Sequence, residues 1–180
     1  MNELSKQYDP QAHEQAVYKK WEAAQAFAPK TDAAGKPFVI MLPPPNITGT
    51  LHMGHALQDT IMDTLIRYHR LKGEPTLWVP GTDHAAIATN RVIEEQLRKE
   101  GTSRQQLGRE AFLQRVDQWY VTTGQQIVNQ MKRLGASADW SRLRFTMDER
   151  YIRAVNEAFI RYYQQGYIYR GNYIVNWDPL

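Results

Sequence analysis

FVIMLPPPNITGTLHMGH, residues 38–55, decides how the rest of the chain is read. It opens on a short apolar run, Phe38 to Leu42, that is partly β-branched and stops against Pro43, Pro44 and Pro45. Such a run is the signature of a buried strand in a parallel sheet. The prolines have no N–H to give a ladder, so pairing ends there. Gly49 then supplies a turn, and His52 and His55 flank Met53-Gly54 where a helix begins. The spacing predicts that helix from about Gly54 to Lys72. Leu57, Ile61 and Leu65 recur at four, as do Met62 and Ile66, while Asp59, Asp63 and Arg67 fall on the other side. Gly73 and Pro75 end it.

A second apolar run, TLWVP (76–80), reads as another strand, and GTDHAAIAT (81–89) leads into a helix through Ile93 and Leu97 to Gly101. Strand, helix, strand, helix implies an α/β fold, with a right-handed βαβ unit in a doubly wound parallel sheet carrying extensive helices. Upstream, residues 10–27 read as a helix with Val17, Trp21, Ala24 and Ala28 near one face, followed by the turn-rich linker KTDAAGKP. Downstream, Thr102 with Gln105 forms a capping-box pattern before a long helix over about 109–134 that Gly135 stops. Thr146 with Glu149 repeats that start signal, with Tyr151, Val155, Phe159 and Tyr162 as the expected buried stripe and Gly166 as the stop. YIYRGNYIVNW (167–177) reads as a β-hairpin around Gly171-Asn172. The expected organisation is a helix and linker over 1–36, a βαβα site over 37–100, a helical segment over 101–166 and a hairpin over 167–180. The final NWDPL closes no element and reads as an interruption.

With 180 residues, 42% hydrophobic and 23% charged, the chain is ordinary for a globular protein. No apolar run approaches the roughly 18–20 residues that span a bilayer, and MNELSKQYDP has no secretory pattern. The absence of cysteine excludes disulfides and thiolate metal sites and fits a cytoplasmic protein. Net charge is +3, but residues 104–170 hold eleven Lys/Arg against six Asp/Glu. That excess reads either as a solvated helical surface or as a face turned to RNA.

In an open α/β sheet, ligands bind beyond the carboxyl ends of the strands. The 43–55 segment lies there, at a helix N-terminus whose free N–H groups and partial positive charge suit a phosphate. Gly49 and Gly54 let a nucleotide approach the backbone. His52 and His55 offer hydrogen bonds to phosphate oxygens. The stretch is neither a Walker loop nor GxGxxG. Asp83, after the second strand, places a carboxylate near the first strand's end, suited to an ammonium group, with Asn46 and proline carbonyls as further acceptors. Two rival readings stand beside this pocket. One is a metal-dependent hydrolase using His52, His55 and Asp83, extended by Asp59, Asp63 and His84. The other is a non-catalytic RNA-binding module on the basic helices.

PPPNITGTLHMGH resembles the HIGH-type signature of class I aminoacyl-tRNA synthetases, with His52-Met53-Gly54-His55 in the HIGH slot. Together with GTDHAAIAT, RLGASADWSR and NWDP, it is similar to the valyl-tRNA synthetase family across essentially the whole chain. The resemblance implies the N-terminal half of a Rossmann-like nucleotide fold, and ATP-dependent activation of L-valine followed by transfer to tRNA(Val). It implies His52 and His55 as catalytic residues on the ATP phosphates, with Asn46, Thr48 and Gly54 completing the ATP site and Gly54 under the adenine. Pro43, Pro44, Asn46 and Asp83 would bind valine, and Mg²⁺ would ride on the phosphates. The substrate carboxylate would be the nucleophile. Ala86 departs from an expected glycine at the pocket floor, and Asp178 replaces a common cysteine, so no zinc is expected. The 180 residues stop before the family's KMSKS loop, second half-site, editing insertion and anticodon domain. Weak or absent turnover is the expectation for them alone, and no membrane partner is implied.

Overall fold

The computed structural model describes residues 7–30, 32 and 34–178. Thr31 and Ala33 of the expected linker, and the last two residues of NWDPL, lie outside the described residues. The strand expected at 38–42 is β1, Phe38–Met41, and the one expected at 76–80 is β2, Thr76–Val79. They pair in parallel, Phe38 opposite Thr76 and Met41 opposite Val79. Past Pro80 the chain continues as β3, Gly81–Thr82. Successive carbonyls of this run point to opposite sides, as the pleat requires. Those of Pro75, Val79 and Asp83 accept from Phe38, Leu42 and Ile47, while those of Trp78, Pro80 and Thr82 accept from Asp139, Arg144 and Thr146. Residues 76–83 are therefore the middle of three parallel segments. The third runs through a 3₁₀ turn, Trp140–Arg142, and β4, Arg144–Phe145, parallel to β3. The helical segment expected over 101–166 thus also contains a strand, because two-residue β4 is too short to leave a periodic trace.

Between β1 and β2 runs α2, Met53–Leu71. Its buried positions are Ile66 and Asp59, and the Leu57, Ile61 and Leu65 stripe is exposed. The Met62/Ile66 side is buried as expected, whereas Leu57, Ile61 and Leu65 face out and Asp59 faces in. The helix carries two apolar stripes, and the 62/66 side is the one that meets the sheet core. The first helix, α1, spans Pro10–Ala23, with the Asp9 side chain accepting from Gln11 N at 3.0 Å and Pro10 opening it. It stops short of the expected Phe27 because Gln25 turns to a positive φ of 49°. Tyr18 and Phe27, not Val17 and Trp21, are its buried contacts. Tyr18 earns its place with two hydrogen bonds, its hydroxyl donating to Ala136 O and accepting from Trp140 Nε1, both at 2.6 Å.

After β3 come α3, Ala86–Lys99, a single turn α4, Arg104–Leu107, and the long α5, Arg109–Leu134. Ser103 caps α4, accepting from Gln106 N at 3.2 Å, so the expected Thr102/Gln105 box is displaced by one residue. Gly135 ends α5 at φ 89°, a left-handed conformation that glycine adopts without a Cβ clash. One end of α5 packs Phe112 and Val116 on Ile93 and Leu97 of α3. The other packs Ile127 and Met131 with Leu42, Ile47, Ile66 and Trp78 beneath the sheet.

The described residues divide into two compact units, Met1–Thr146 and Met147–Leu180. The second is α6, Glu149–Gln164, followed by a segment without regular structure. Asp148, not Thr146, caps α6, accepting from Tyr151 N at 2.8 Å. Tyr151, Val155, Phe159 and Tyr162 form the predicted stripe but stand exposed. Residues 167–178 form no strand, so the expected hairpin is corrected too. Two strands alone bury too little apolar surface to hold a hairpin in water. Among the described residues, no helix is long and apolar enough to cross a membrane.

Candidate active site

The carboxyl ends of β1 and β2 meet. Asn46 and Asp83 are parallel bridge partners, with Asp83 N donating to Pro45 O at 2.8 Å and Ile47 N to Asp83 O at 2.9 Å. The loop that follows is pinned from α5 at both ends. Trp119 Nε1 donates to Ile47 O at 2.6 Å, and Leu51 N donates to Gln130 Oε1 at 3.0 Å. Two side chains from one helix thereby fix where α2 starts. Pro43, Pro44 and Asn46 are exposed along this rim, while Thr48 and Gly49 are half-buried.

At the start of α2 the two histidines cap the helix reciprocally. His52 Nδ1 accepts from Gly54 N at 3.1 Å, and His55 Nδ1 accepts from His52 N at 3.2 Å. A nitrogen that accepts from a backbone N–H carries no proton, so both rings are Nε2–H tautomers. Each presents one outward N–H donor. The ring centroids lie 4.0 Å apart. Desolvation, and then the neighbouring His52, hold the His55 pKa below the ordinary imidazole value, so His55 is neutral near pH 7. Gly54 is constrained by its own neighbour as well as by any ligand, because a Cβ there would come within 2.9 Å of His52 Cε1.

The Asp83 side chain is held by distant residues. Its Oδ1 accepts from Thr146 Oγ1 at 2.8 Å and from Ala85 N at 3.3 Å, and His84 Nδ1 stands 3.2 Å away. Thr146 Oγ1 in turn accepts from His84 N at 2.9 Å and meets His84 Nδ1 at 2.5 Å. Thr146 is thus the hub of the acidic side, a residue that sequence reasoning assigned to a helix cap. A trace of the role existed in the β-branched RFT at 144–146, but nothing local ties it to Asp83, 63 positions away. Gly81 is closely packed: a Cβ there would lie 3.3 Å from Arg144 O, which would have to give by a few tenths of an ångström, and in ordinary contact with Pro44 Cβ at 3.5 Å. Ala85 sits in the left-handed region at φ 43°, a strain of roughly 1–2 kcal/mol placed beside Asp83. Ala86, expected at a pocket floor, is instead the exposed first residue of α3.

The structure therefore joins Asn46 to Asp83 and His52 to His55, with Pro43, Pro44 and Thr48 on the connecting loop. No hydrogen bond or ion pair links the imidazoles to Asp83 among the described residues. Nor do three His, Asp or Glu side chains converge among the described residues, so the rival metal centre at His52, His55 and Asp83 finds no cluster. What the arrangement offers is a pair of imidazole N–H donors and a helix N-terminus on one side, and a partly exposed carboxylate on the other.

Comparison with known proteins places the chain in a family. The model of the family "tRNA synthetases class I (I, L, M and V)" matches residues 16–180. A valine–tRNA ligase of Legionella pneumophila (strain Lens) is 57% identical over 176 residues, covering 98% of this chain and 19% of the relative. That of Synechocystis sp. is 53% identical over 176 residues with the same coverage of each. One from Xanthomonas oryzae pv. oryzae is 53% identical over 182 residues, covering all of this chain and 18% of the relative. The chain thus spans about a fifth of the length of these relatives. Among solved structures, the LeuRS of a ternary LeuRS–tRNA–LeuAMS complex from Agrobacterium radiobacter K84 superposes with a TM-score of 0.73. It is 25% identical and covers 96% of this chain and 20% of that one. The α/β, Rossmann-like reading of the fold is the one this neighbour shares.

Proposed function

The chain belongs to the class I tRNA synthetases of the I, L, M and V group, and on that footing we propose that it is the amino-acid-activating portion of a valine–tRNA ligase. The reaction is attack by the carboxylate of L-valine on the α-phosphorus of ATP. A C–O–P bond forms, the α–β bridging P–O bond breaks, and pyrophosphate leaves, giving valyl-adenylate for transfer to tRNA(Val). The family implies ATP as the nucleotide. The valine preference rests on relatives of more than 50% identity. Cytoplasmic action is part of the same reading.

The observation that carries the proposal is the reciprocal histidine cap, which aims two Nε2–H donors from the α2 N-terminus with no proton to lose on Nδ1. Donors fixed in advance stabilise negative charge that grows on the phosphate oxygens during attack, without reorganising as it grows. Asn46 and Thr48 precede them on the same pinned loop, within reach of the nucleotide. Asp83 supplies the charge that holds the substrate ammonium, with Asn46 and the Pro44 carbonyl beside it, and Pro43 and Pro44 form the wall for the short aliphatic side chain. Mg²⁺ enters on the ATP phosphates. It would ride there as part of the nucleotide substrate, neutralising charge on the leaving pyrophosphate with waters filling its shell, and would need no dedicated protein cage.

Amino-acid-dependent ATP–pyrophosphate exchange tests this, with valine, isoleucine, threonine and leucine in parallel and His52→Ala as the control. It is run on these 180 residues and on a full-length enzyme carrying them. Exchange stimulated most by valine and lost in the variant is the expected result for the full-length enzyme, with weak or absent exchange by the 180 residues alone. Exchange stimulated equally by all four amino acids, or unaffected by His52→Ala, overturns the reading.

A further inference from the structure

Outside this site, α2 carries an acid that nothing in the activation chemistry uses. Asp59 is 3% exposed, yet no group among the described residues donates a hydrogen bond to its carboxylate. It opens instead onto a recess of about 140 Å³ between α2 and the end of α5, lined by Asp59, Thr60, Asp63, Thr64, Arg67, Leu134 and Ala136. The other polar groups of the recess are accounted for. Asp63 Oδ1 accepts from Ser137 N at 3.2 Å and from Ser137 Oγ, and its Oδ2 accepts from Arg67 Nε at 2.8 Å. Arg67 also donates to Gly135 O at 2.7 Å. Thr60 and Thr64 spend their hydroxyl protons on Ala56 O and Thr60 O, both at 2.7 Å, which leaves their oxygens free only to accept. An ionised Asp59 beside Asp63, against one Arg67, leaves a net negative charge without a partner. Burial, and then the charge of Asp63, accordingly raise the Asp59 carboxyl to about 6.

We propose that this recess is a binding site for the primary ammonium head of a small aliphatic amine. A primary ammonium has three N–H donors and no acceptor. The recess offers three acceptors that receive no hydrogen bond among the described residues, the Asp59 carboxylate and the hydroxyl oxygens of Thr60 and Thr64, and its one cation, Arg67, is turned to Asp63 and Gly135 O. Leu134 and Ala136 supply an apolar wall for the methylenes. A bare divalent metal ion fits less well. It requires about six oxygen ligands, whereas Asp63 already accepts three hydrogen bonds and no three acidic or imidazole side chains converge among the described residues. The volume is several times the roughly 30 Å³ that one water occupies in the liquid, so it admits the head and its first carbons.

The test compares n-butylammonium chloride with potassium chloride and tetramethylammonium chloride at equal ionic strength and pH 7.5 on the 180-residue chain. Thermal unfolding and amide NMR shifts are the readouts. n-Butylammonium is expected to raise the melting temperature by about 3 °C over either control, increasing with concentration as a ligand of the folded state does. It is expected to move the amides of residues 59–64, 134 and 136 saturably. Asp59→Asn keeps the shape and removes the charge. That variant is expected to fold, to melt above the parent without amine because an unpaired buried charge is gone, and to lose both responses. Equal melting in all three salts overturns the proposal. So does an equal response to potassium, which has no N–H to donate, or a full response in Asp59→Asn. Saturable shifts confined to residues other than those lining the recess also overturn it.

Discussion

The two sides of the candidate site are fastened differently. His52 and His55 hold one another through bonds that span at most three residues, within a single helix cap. Asp83 is held by its neighbour Ala85 and by Thr146, which arrives from the far side of the middle strand. The reciprocal histidine cap is thus local to one short sequence, although Trp119 and Gln130 of α5 pin the loop ahead of it. The setting of the Asp83 carboxylate is a property of the assembled sheet, and only the partner segment can complete it.

Breaking each side separately sharpens that contrast. His52→Ala or His55→Ala is expected to lower pyrophosphate exchange by about 10²–10³-fold, as for the loss of one transition-state donor, with valine affinity little changed. Valine binding is followed by calorimetry in the same samples. Asp83→Ala is expected to do the reverse. Valine affinity falls about 10–100-fold, the worth of a hydrogen bond to a charged group, while ATP affinity holds. Equal losses of both ligands would instead report damage to the sheet. Thr146→Val keeps the β-branch and removes the hydroxyl, leaving Asp83 and His84 without their common partner. A roughly tenfold loss in valine affinity, with ATP spared, is the expected mark of a positioning residue; no change would detach Thr146 from the site.

The smallest effect concerns acid. The folded pKa of His55 is depressed, so the unfolded chain takes up a proton first as pH falls. The stabilisation His55 gives is fully present above its ordinary value of about 6.5 and is lost as pH drops through that value toward the lower folded one. Protonation of Nδ1 also ends its acceptance from His52 N. Amide exchange over residues 52–56 should therefore quicken below about pH 6 relative to the rest of α2, and His55→Ala should flatten that dependence. An unchanged profile in the variant would assign the acid effect elsewhere.

Much of this was readable in the sequence where one segment determines its own structure. The β1 and β2 runs, the helix expected from about Gly54 to Lys72 and the stop at Gly135 all sit in stretches whose periodicity or turn chemistry is self-contained. The misses share a cause. Which stripe of α2 is buried depends on what lies beneath it, so Asp59 was placed outward and Leu57 inward, and the structure has them reversed. Ser103 and Asp148 took caps expected for Thr102 and Thr146 because adjacent oxygens compete on geometry that spacing does not encode. The stripe of α6 was recognised as apolar, but periodicity records only that a face is suited to a partner.

The middle segment, 76–83, is bonded on one side by 38–47 and on the other by 139–146. During synthesis these arrive at different times. The histidine cap and the β1–β2 ladder have all their residues once the chain has passed about Asp83. Thr146 emerges later by 63 positions, after the whole of α3, α4 and α5. At the 5–20 residues per second typical of translation, that is an interval of several seconds. A ribosome-bound chain in that interval holds its histidine cap and gains the α5 pins of the preceding loop, Trp119 and Gln130, while Asp83 still has no hub. Arrest of synthesis just before and just after Thr146 emerges would separate two species with the same helix and different capacities for an amino acid.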